Sequence, residues 1–217
     1  AAILLILRNQ PANELELIDP IERCPRCFTQ LPSCTSPCLH CYTHPPHYRI
    51  FGQACCLSES TLTHKLIGYL HKKIEYHLEM ALASLAYVQI DRLHFPKPDY
   101  ILMEPTHWLL PKRDEIALSR RLAVHLASLF RVPCIKTRLN PLSLMNPYLP
   151  LEEQPPTGKE EISLSQKEPL HGSNILLFTT HLSLGSTWHS SARALESYGL
   201  FRLWNIGLVA SDRSWMA

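Results

Sequence analysis

The sequence predicts an α/β protein: a mostly parallel sheet flanked by helices, preceded by a small zinc-binding module. Three observations carry that expectation. First, Asn174-Ile-Leu-Leu-Phe-Thr179 is a continuous apolar run of the kind buried on both faces of a sheet. A polar loop, a helical stretch over 188–198 and a second apolar run over 201–210 follow it, and strand, loop, helix and strand in that order make a βαβ unit. Second, Leu118, Leu122, Leu126 and Phe130 recur every four residues, which marks one apolar face of a long helix. Third, Cys24-Pro-Arg-Cys27 and Cys38-Leu-His-Cys41 are two C-x-x-C knuckles in a stretch without aliphatic periodicity, so the N-terminal part needs a staple rather than a core.

The elements follow in order. Residues 1–20 form an N-terminal segment, 21–47 a zinc-ribbon-like module, and 48–217 the main domain. Residues 48–57 read as a strand. Leu62, Leu66, Tyr69 and Leu70 then take helical spacing behind Ser60 or Thr61 as N-cap. A second helix is expected over 75–88. Pro96-Lys-Pro98 breaks the chain before a short buried strand, Tyr100-Ile-Leu-Met103. The leucine-spaced helix comes next, with Asp114 near its start and Arg131 at its end, and 132–135 is the following strand. Residues 138–170, rich in proline, are expected as a long irregular loop or hood. Gly199 stands where a glycine C-cap belongs.

Composition excludes several classes. Lys and Arg number 21 against 19 Asp and Glu, a net charge of +2, so bulk electrostatics suit neither a polycationic nucleic-acid coat nor an acidic tail. The 46% hydrophobic fraction is that of a globular chain. The opening apolar run stops at Arg8, far short of a bilayer span, and no basic stretch precedes it, so a cytoplasmic protein is expected. Its eight cysteines are then thiols or metal ligands rather than disulfides.

Two motifs carry chemistry. Cys24, Cys27, Cys38 and Cys41 complete a closed four-thiolate shell for structural zinc, with reduced or oxidised thiols as the alternative. The gap between knuckles is short, so Cys34 or His40 can replace one ligand. Cys55, Cys56 and Cys134 read as buried core thiols. The second motif is Ser183-Leu-Gly-Ser-Thr187, between an apolar strand and a helix. Backbone N–H groups at such a helix start, with Ser183, Ser186 and Thr187 hydroxyls, can cradle a phosphate, and Gly185 permits close backbone approach. The same residues can equally serve as a helix cap. Two basic groups, Lys65, His71, Lys72, Lys73 and Lys112, Arg113, Arg120, Arg121, are solvated helix faces or contacts for nucleic-acid phosphates. Trp108, Trp188 and His189 are candidate stacking surfaces. His107 and His181 have no partner in the sequence that would make them acid–base residues.

Residues 174–187 resemble the ribosyl-phosphate-binding signature of type I phosphoribosyltransferases, in which a hydrophobic strand runs into an acidic pair, then two residues, then Thr-Thr-Gly-x-Thr. Together with the double C-x-x-C module, the chain is most similar to the ComF family of competence proteins. The order of elements agrees, as do Ala192-Arg-Ala-Leu195 and Gly199. The resemblance implies a phosphoribosyltransferase-like domain, a phosphate loop at Thr179, Thr180, Ser183, Leu184, Gly185, Ser186 and Thr187, and a role in uptake or processing of single-stranded DNA with DNA-processing proteins. It also implies phosphoribosyl pyrophosphate, or another phosphate or nucleotide, as ligand. The sequence departs where charge matters: the acidic pair is Thr179-Thr180, and Ser183-Leu184 replaces Thr-Thr. Threonine hydroxyls bring no charge to hold Mg²⁺ or to stabilise a cationic ribosyl transition state. The expected protein is therefore a non-catalytic member, with an active transferase of altered metal site as the alternative.

Overall fold

The computed structural model describes residues 17–21, 23–33, 37–43, 50–58, 60–103, 113–139, 162–164, 170–182, 195, 198–199 and 201–210. After a short helix α1 (Leu39–Thr43) come β1 (Ile50–Leu57), α2 (Thr61–Lys72), α3 (Tyr76–Arg92), β2 (Tyr100–Met103), α4 (Arg113–Phe130), β3 (Cys134–Ile135), β4 (Thr137–Leu139), β5 (Ile162–Leu164), β6 (Asn174–Leu182) and β7 (Arg202–Ala210). Five strands form one sheet in the order β1-β7-β6-β2-β3, every pair parallel. The expected mostly parallel sheet with flanking helices is present.

Local chemistry explains each helix. Ser60 caps α2: its Oγ accepts the Thr63 N–H at 3.1 Å, and Leu62, Leu66, Ile67 and Leu70 turn inward. In α4 the leucines spaced by four are all buried, and Ser119 Oγ donates to the Phe178 carbonyl of β6 at 3.3 Å. The helix stops at Arg131, which takes a left-handed φ of 57°, while the Val132 N–H returns to Ala127 O at 3.1 Å. That bond also shortens the next strand. Val132 is spent on the helix end and Pro133 has no N–H, so β3 begins only at Cys134 rather than at 132. α3 runs past the expected end at 88 because Gln89 and Ile90 are both buried. Gln89 Nε2 donates to Ile18 O at 2.6 Å and Cys55 O at 3.4 Å.

Two further differences bear on the site. The stretch 138–170 is not wholly irregular: β4 and β5 pair antiparallel, Thr137 opposite Leu164 and Leu139 opposite Ile162. An alternation of apolar and polar residues lies inside the proline-rich segment and supports the pairing; residues 140–161 and 165–169 lie outside the described ones. And β6 runs past its expected end at Thr179 through Thr180, His181 and Leu182, so it takes in the first two residues of the loop expected over 181–187. Those polar residues stay in the ladder because β7 continues beside them, Thr179 against Gly207 and His181 against Val209.

The free edge of β1 is partly covered. Leu17 pairs antiparallel with Leu57, and the Ile18 N–H donates to Cys56 O at 3.1 Å. Among the described residues no helix is long and apolar enough to cross a membrane.

Candidate metal centre and switch-point crevice

The first knuckle is a tight turn. Cys24 N–H donates to Thr29 O at 2.9 Å, Phe28 N–H returns to Cys24 O at 2.8 Å, and Phe28 takes a φ of 65° to close it. The second knuckle sits at the start of α1, where the Cys41 N–H points at Cys38 Sγ at 3.4 Å. The four Sγ atoms lie within 4.8 Å of one another; Cys24 and Cys41 are 3.7 Å apart, and Cys27 and Cys38 are 3.4 Å apart. A zinc–sulfur bond of about 2.3 Å in a tetrahedron sets an S···S edge of roughly 3.8 Å, so the cluster has the size of a closed zinc shell. His40 is not part of it, and Cys34 lies outside the described residues.

The thiols carry the matching electrostatics. Hydrogen bonds from the Cys27 side chain, then from the Cys27 and Arg26 backbone, hold Cys24 down at about 4 against the opposing effect of burial. Burial pushes Cys41 up to about 12, and Cys27 is raised by its bond to Cys24. The Cys24 thiolate is thus easily held, while Cys27 and Cys41 resist ionising beside it; a divalent cation offsets the cost of charging them. Zinc would be held by Cys24, Cys27, Cys38 and Cys41 with no open position for water, which makes it a structural ion.

The knuckle leans on the sheet. Phe28 is 1% exposed and belongs to the same core as β1, α2 and β7. At Gly52 an added Cβ would lie 2.9 Å from Pro25 O and 2.7 Å from the Trp204 ring, so only glycine lets knuckle, β1 and Trp204 approach this closely. Cys55 and Cys56 are fully buried core thiols, whereas Cys134 is half-buried at the β3 edge.

The crevice follows from strand order. The chain leaves β2 for β3 on one side and leaves β6 for β7 on the other, so the β2–β6 boundary is a topological switch point. In open α/β sheets ligands bind beyond the carboxyl ends of strands at such a point, where diverging crossovers leave a gap. Met103 at the end of β2 pairs with Phe178, and Thr179 and Thr180 come next on β6, beyond the reach of β2. Both threonines are buried, and Thr179 Oγ1 donates to His181 O at 3.2 Å. Ser183, Leu184, Gly185, Ser186 and Thr187 lie outside the described residues, as do Glu104, Pro105, His107, Trp108, Lys112, Trp188 and His189. Of the expected helix over 188–198, Leu195 is helical and buried, the Tyr198 N–H reaches Leu195 O at 3.1 Å, and Gly199 has a φ of 66°.

The basic clusters divide differently from the sequence expectation. Lys65 and Lys72 on α2 and Lys73 just past its end are exposed, but Arg121 turns inward. Its Nε meets Glu79 Oε1 at 2.8 Å and its Nη2 donates to Leu70 O at 2.8 Å, while His125 Nε2 lies 3.4 Å from Glu79 Oε2. Arg121 is thus a structural cation joining α2, α3 and α4 and is not part of a phosphate-binding patch. The Glu79 triad was not legible in the sequence, because its members lie on two helices with no shared motif.

No family model matches the chain, and no curated protein does. Similar solved structures are adenine phosphoribosyltransferases. One from Saccharomyces cerevisiae, complexed with an imino-altritol bisphosphate and adenine, is 20% identical over 64% of this chain and 72% of its own, with a TM-score of 0.40. One from Thermoanaerobacter pseudethanolicus is 17% identical over 70% and 85%, with a TM-score of 0.40. One from Trypanosoma brucei, in complex with AMP, pyrophosphate and ribose-5-phosphate, is 12% identical over 94% and 92%, with a TM-score of 0.46. Likeness at this level says nothing of ligand or activity.

Proposed function

We propose that this protein is a non-catalytic, ComF-like relative of the phosphoribosyltransferases that holds a sugar phosphate or nucleotide in the crevice beyond β2 and β6, is stapled by structural zinc, and serves in the handling of single-stranded DNA with DNA-processing proteins. The observation that supports it most is the position of Thr179 and Thr180. They stand at the switch point, one step past the end of β2, with the phosphate-loop sequence directly after β6. In this reading Ser183, Ser186 and Thr187 hydroxyls and the backbone at Leu184 and Gly185 bind the phosphate, and the N–H groups at the following helix start complement its charge. Thr179 and Thr180, buried at the sugar side of the site, bring no charge to it. A sugar phosphate is therefore bound without Mg²⁺, and a developing ribosyl cation finds no carboxylate to stabilise it.

Calorimetry tests this directly. Ribose 5-phosphate and phosphoribosyl pyrophosphate should bind equally well with and without Mg²⁺, and Gly185→Asp should abolish both. Binding that requires Mg²⁺, accompanied by transfer of the ribosyl group to a purine or pyrimidine, would overturn the non-catalytic reading.

A further inference from the structure

The N-terminal end of the sheet, about 20 Å from the crevice along β7, carries an array of stacked side chains that the reading above does not use. Phe95 stacks on Trp204 with ring centroids 4.1 Å apart, and Phe51 meets Trp204 edge-on at 4.6 Å. The Arg202 guanidinium lies 4.3 Å from the centroid of Phe51 and 4.7 Å from that of Phe201. Phe201, Arg202, Phe51, Trp204 and Phe95 thus follow one another at stacking distances. The backbone fixes this arrangement: the Phe201 and Arg202 N–H groups both point at Ser173 O, at 2.9 and 3.4 Å. Phe51 and Phe201 are nonetheless 50% and 54% exposed, and no carboxylate pairs with Arg202 among the described residues. Lys97, exposed two residues beyond Phe95, adds a second cation; the nearby Asp99 carboxylate is engaged with the Asn174 N–H at 2.8 Å.

We propose that Phe51, Arg202 and Phe201 form a stacking platform for single-stranded nucleic acid. Two half-exposed rings flanking an unneutralised guanidinium match the two parts of a single strand, flat bases that stack on any aromatic face and a phosphate that needs a cation. A duplex, with its bases already stacked and its edges inward, gains only the arginine contact. A greasy protein partner would not call for a bare cation between the rings. This proposal deepens the single-stranded DNA reading above and rests on it for the choice of partner, but not on the sugar-phosphate crevice.

Fluorescence anisotropy with labelled oligothymidine and oligouridine of about ten nucleotides, over a salt series, tests it on the full chain. Phe51→Ala and Phe201→Ala should each weaken binding about 5- to 100-fold, with Phe51→Leu and Phe201→Leu, which keep the apolar volume, showing the same loss. Arg202→Gln should reduce the slope of log affinity against log salt by about one. The corresponding duplex should lose little in the phenylalanine variants, and ribose 5-phosphate binding should be unchanged in all of them. The two oligonucleotides together tell a DNA from an RNA ligand. Oligonucleotide binding that ignores all these variants would overturn the platform while leaving the DNA reading intact. No binding by the unaltered protein would overturn both. Self-association that disappears in Phe51→Ala would overturn the platform by making the array an interface between copies.

Discussion

Replacing Arg121 by Met should destabilise the fold far more than a typical surface charge does. The Glu79 side chain is 1% exposed, and the substitution leaves it only His125 Nε2, at 3.4 Å. Removing one partner of a buried ion pair costs about 3–5 kcal/mol, because the remaining charge stays desolvated. Leu70 O also loses a hydrogen bond from a charged donor, inside the same range. Arg121 is itself 24% exposed, so water already reaches the cationic end and the lower value applies, about 3 kcal/mol. In a chain of this size each kcal/mol moves Tm by about 2–4 °C, which gives a drop of about 6–12 °C. Combining Arg121→Met with Glu79→Leu removes both charges and should return the stability to within about 1 kcal/mol of the original, or above it. The pair of single variants and the double variant, followed by urea unfolding at one pH, yields the coupling directly. A loss below about 1 kcal/mol for Arg121→Met would refute the argument, since it would place the bridge among solvated surface pairs.

Removing the metal, by a strong chelator or by Cys38→Ser, should leave less than one equivalent of zinc by elemental analysis and open residues 23–43 to proteolysis, since metal binding in closed thiolate sites contributes folding energy outright. In the metal-free protein the depressed Cys24 thiol stabilises the knuckle fully above the ordinary thiol value of 9.0, and the contribution fades as pH falls toward about 4; ultraviolet thiolate absorbance should persist at neutral pH and vanish near 4. Gly52→Ala should cost about 1–3 kcal/mol in urea unfolding, because its Cβ meets the Pro25 backbone and not just a flexible side chain. Asn205 is fully buried, and neither polar atom of its amide has a hydrogen-bond partner among the described residues. Asn205→Leu should therefore raise stability by about 1–3 kcal/mol, and a decrease would reveal an interior water bound there.

Much of the architecture was readable because short-range rules decide it. Leu118, Leu122 and Leu126 declare a helix face, Ser60 a cap, and Tyr100-Ile-Leu-Met103 a buried strand, each within one or two turns of chain. The paired cysteines were legible for the same reason: each knuckle is four residues long. What could not be read depends on partners distant in sequence. His181 and Leu182 look like loop residues until β7 lies beside them. Arg121 looks like a surface cation until α3 brings Glu79, 42 residues away, into reach. The β4–β5 ribbon hides in a proline-rich stretch because its two halves are separated by residues 140–161. The stacked array combines residues from β1, the approach to β2 and the start of β7, and no local pattern joins them.

The pairing of β1 with β7 has a consequence for how the chain is made. Ile50 waits for Leu203, and Leu57 for Val209, roughly 150 residues later. At about 5–20 residues per second, a ribosome takes roughly 8–30 s to deliver that partner. During this interval the described residues give a strand as apolar as Ala54-Cys-Cys-Leu57 the short antiparallel contact at Leu17 and Ile18 to occupy one edge. The nascent protein is therefore most vulnerable to aggregation before β7 emerges. A zinc ion taken up early by the neighbouring knuckle would hold Phe28 and Pro25 against that strand while it waits.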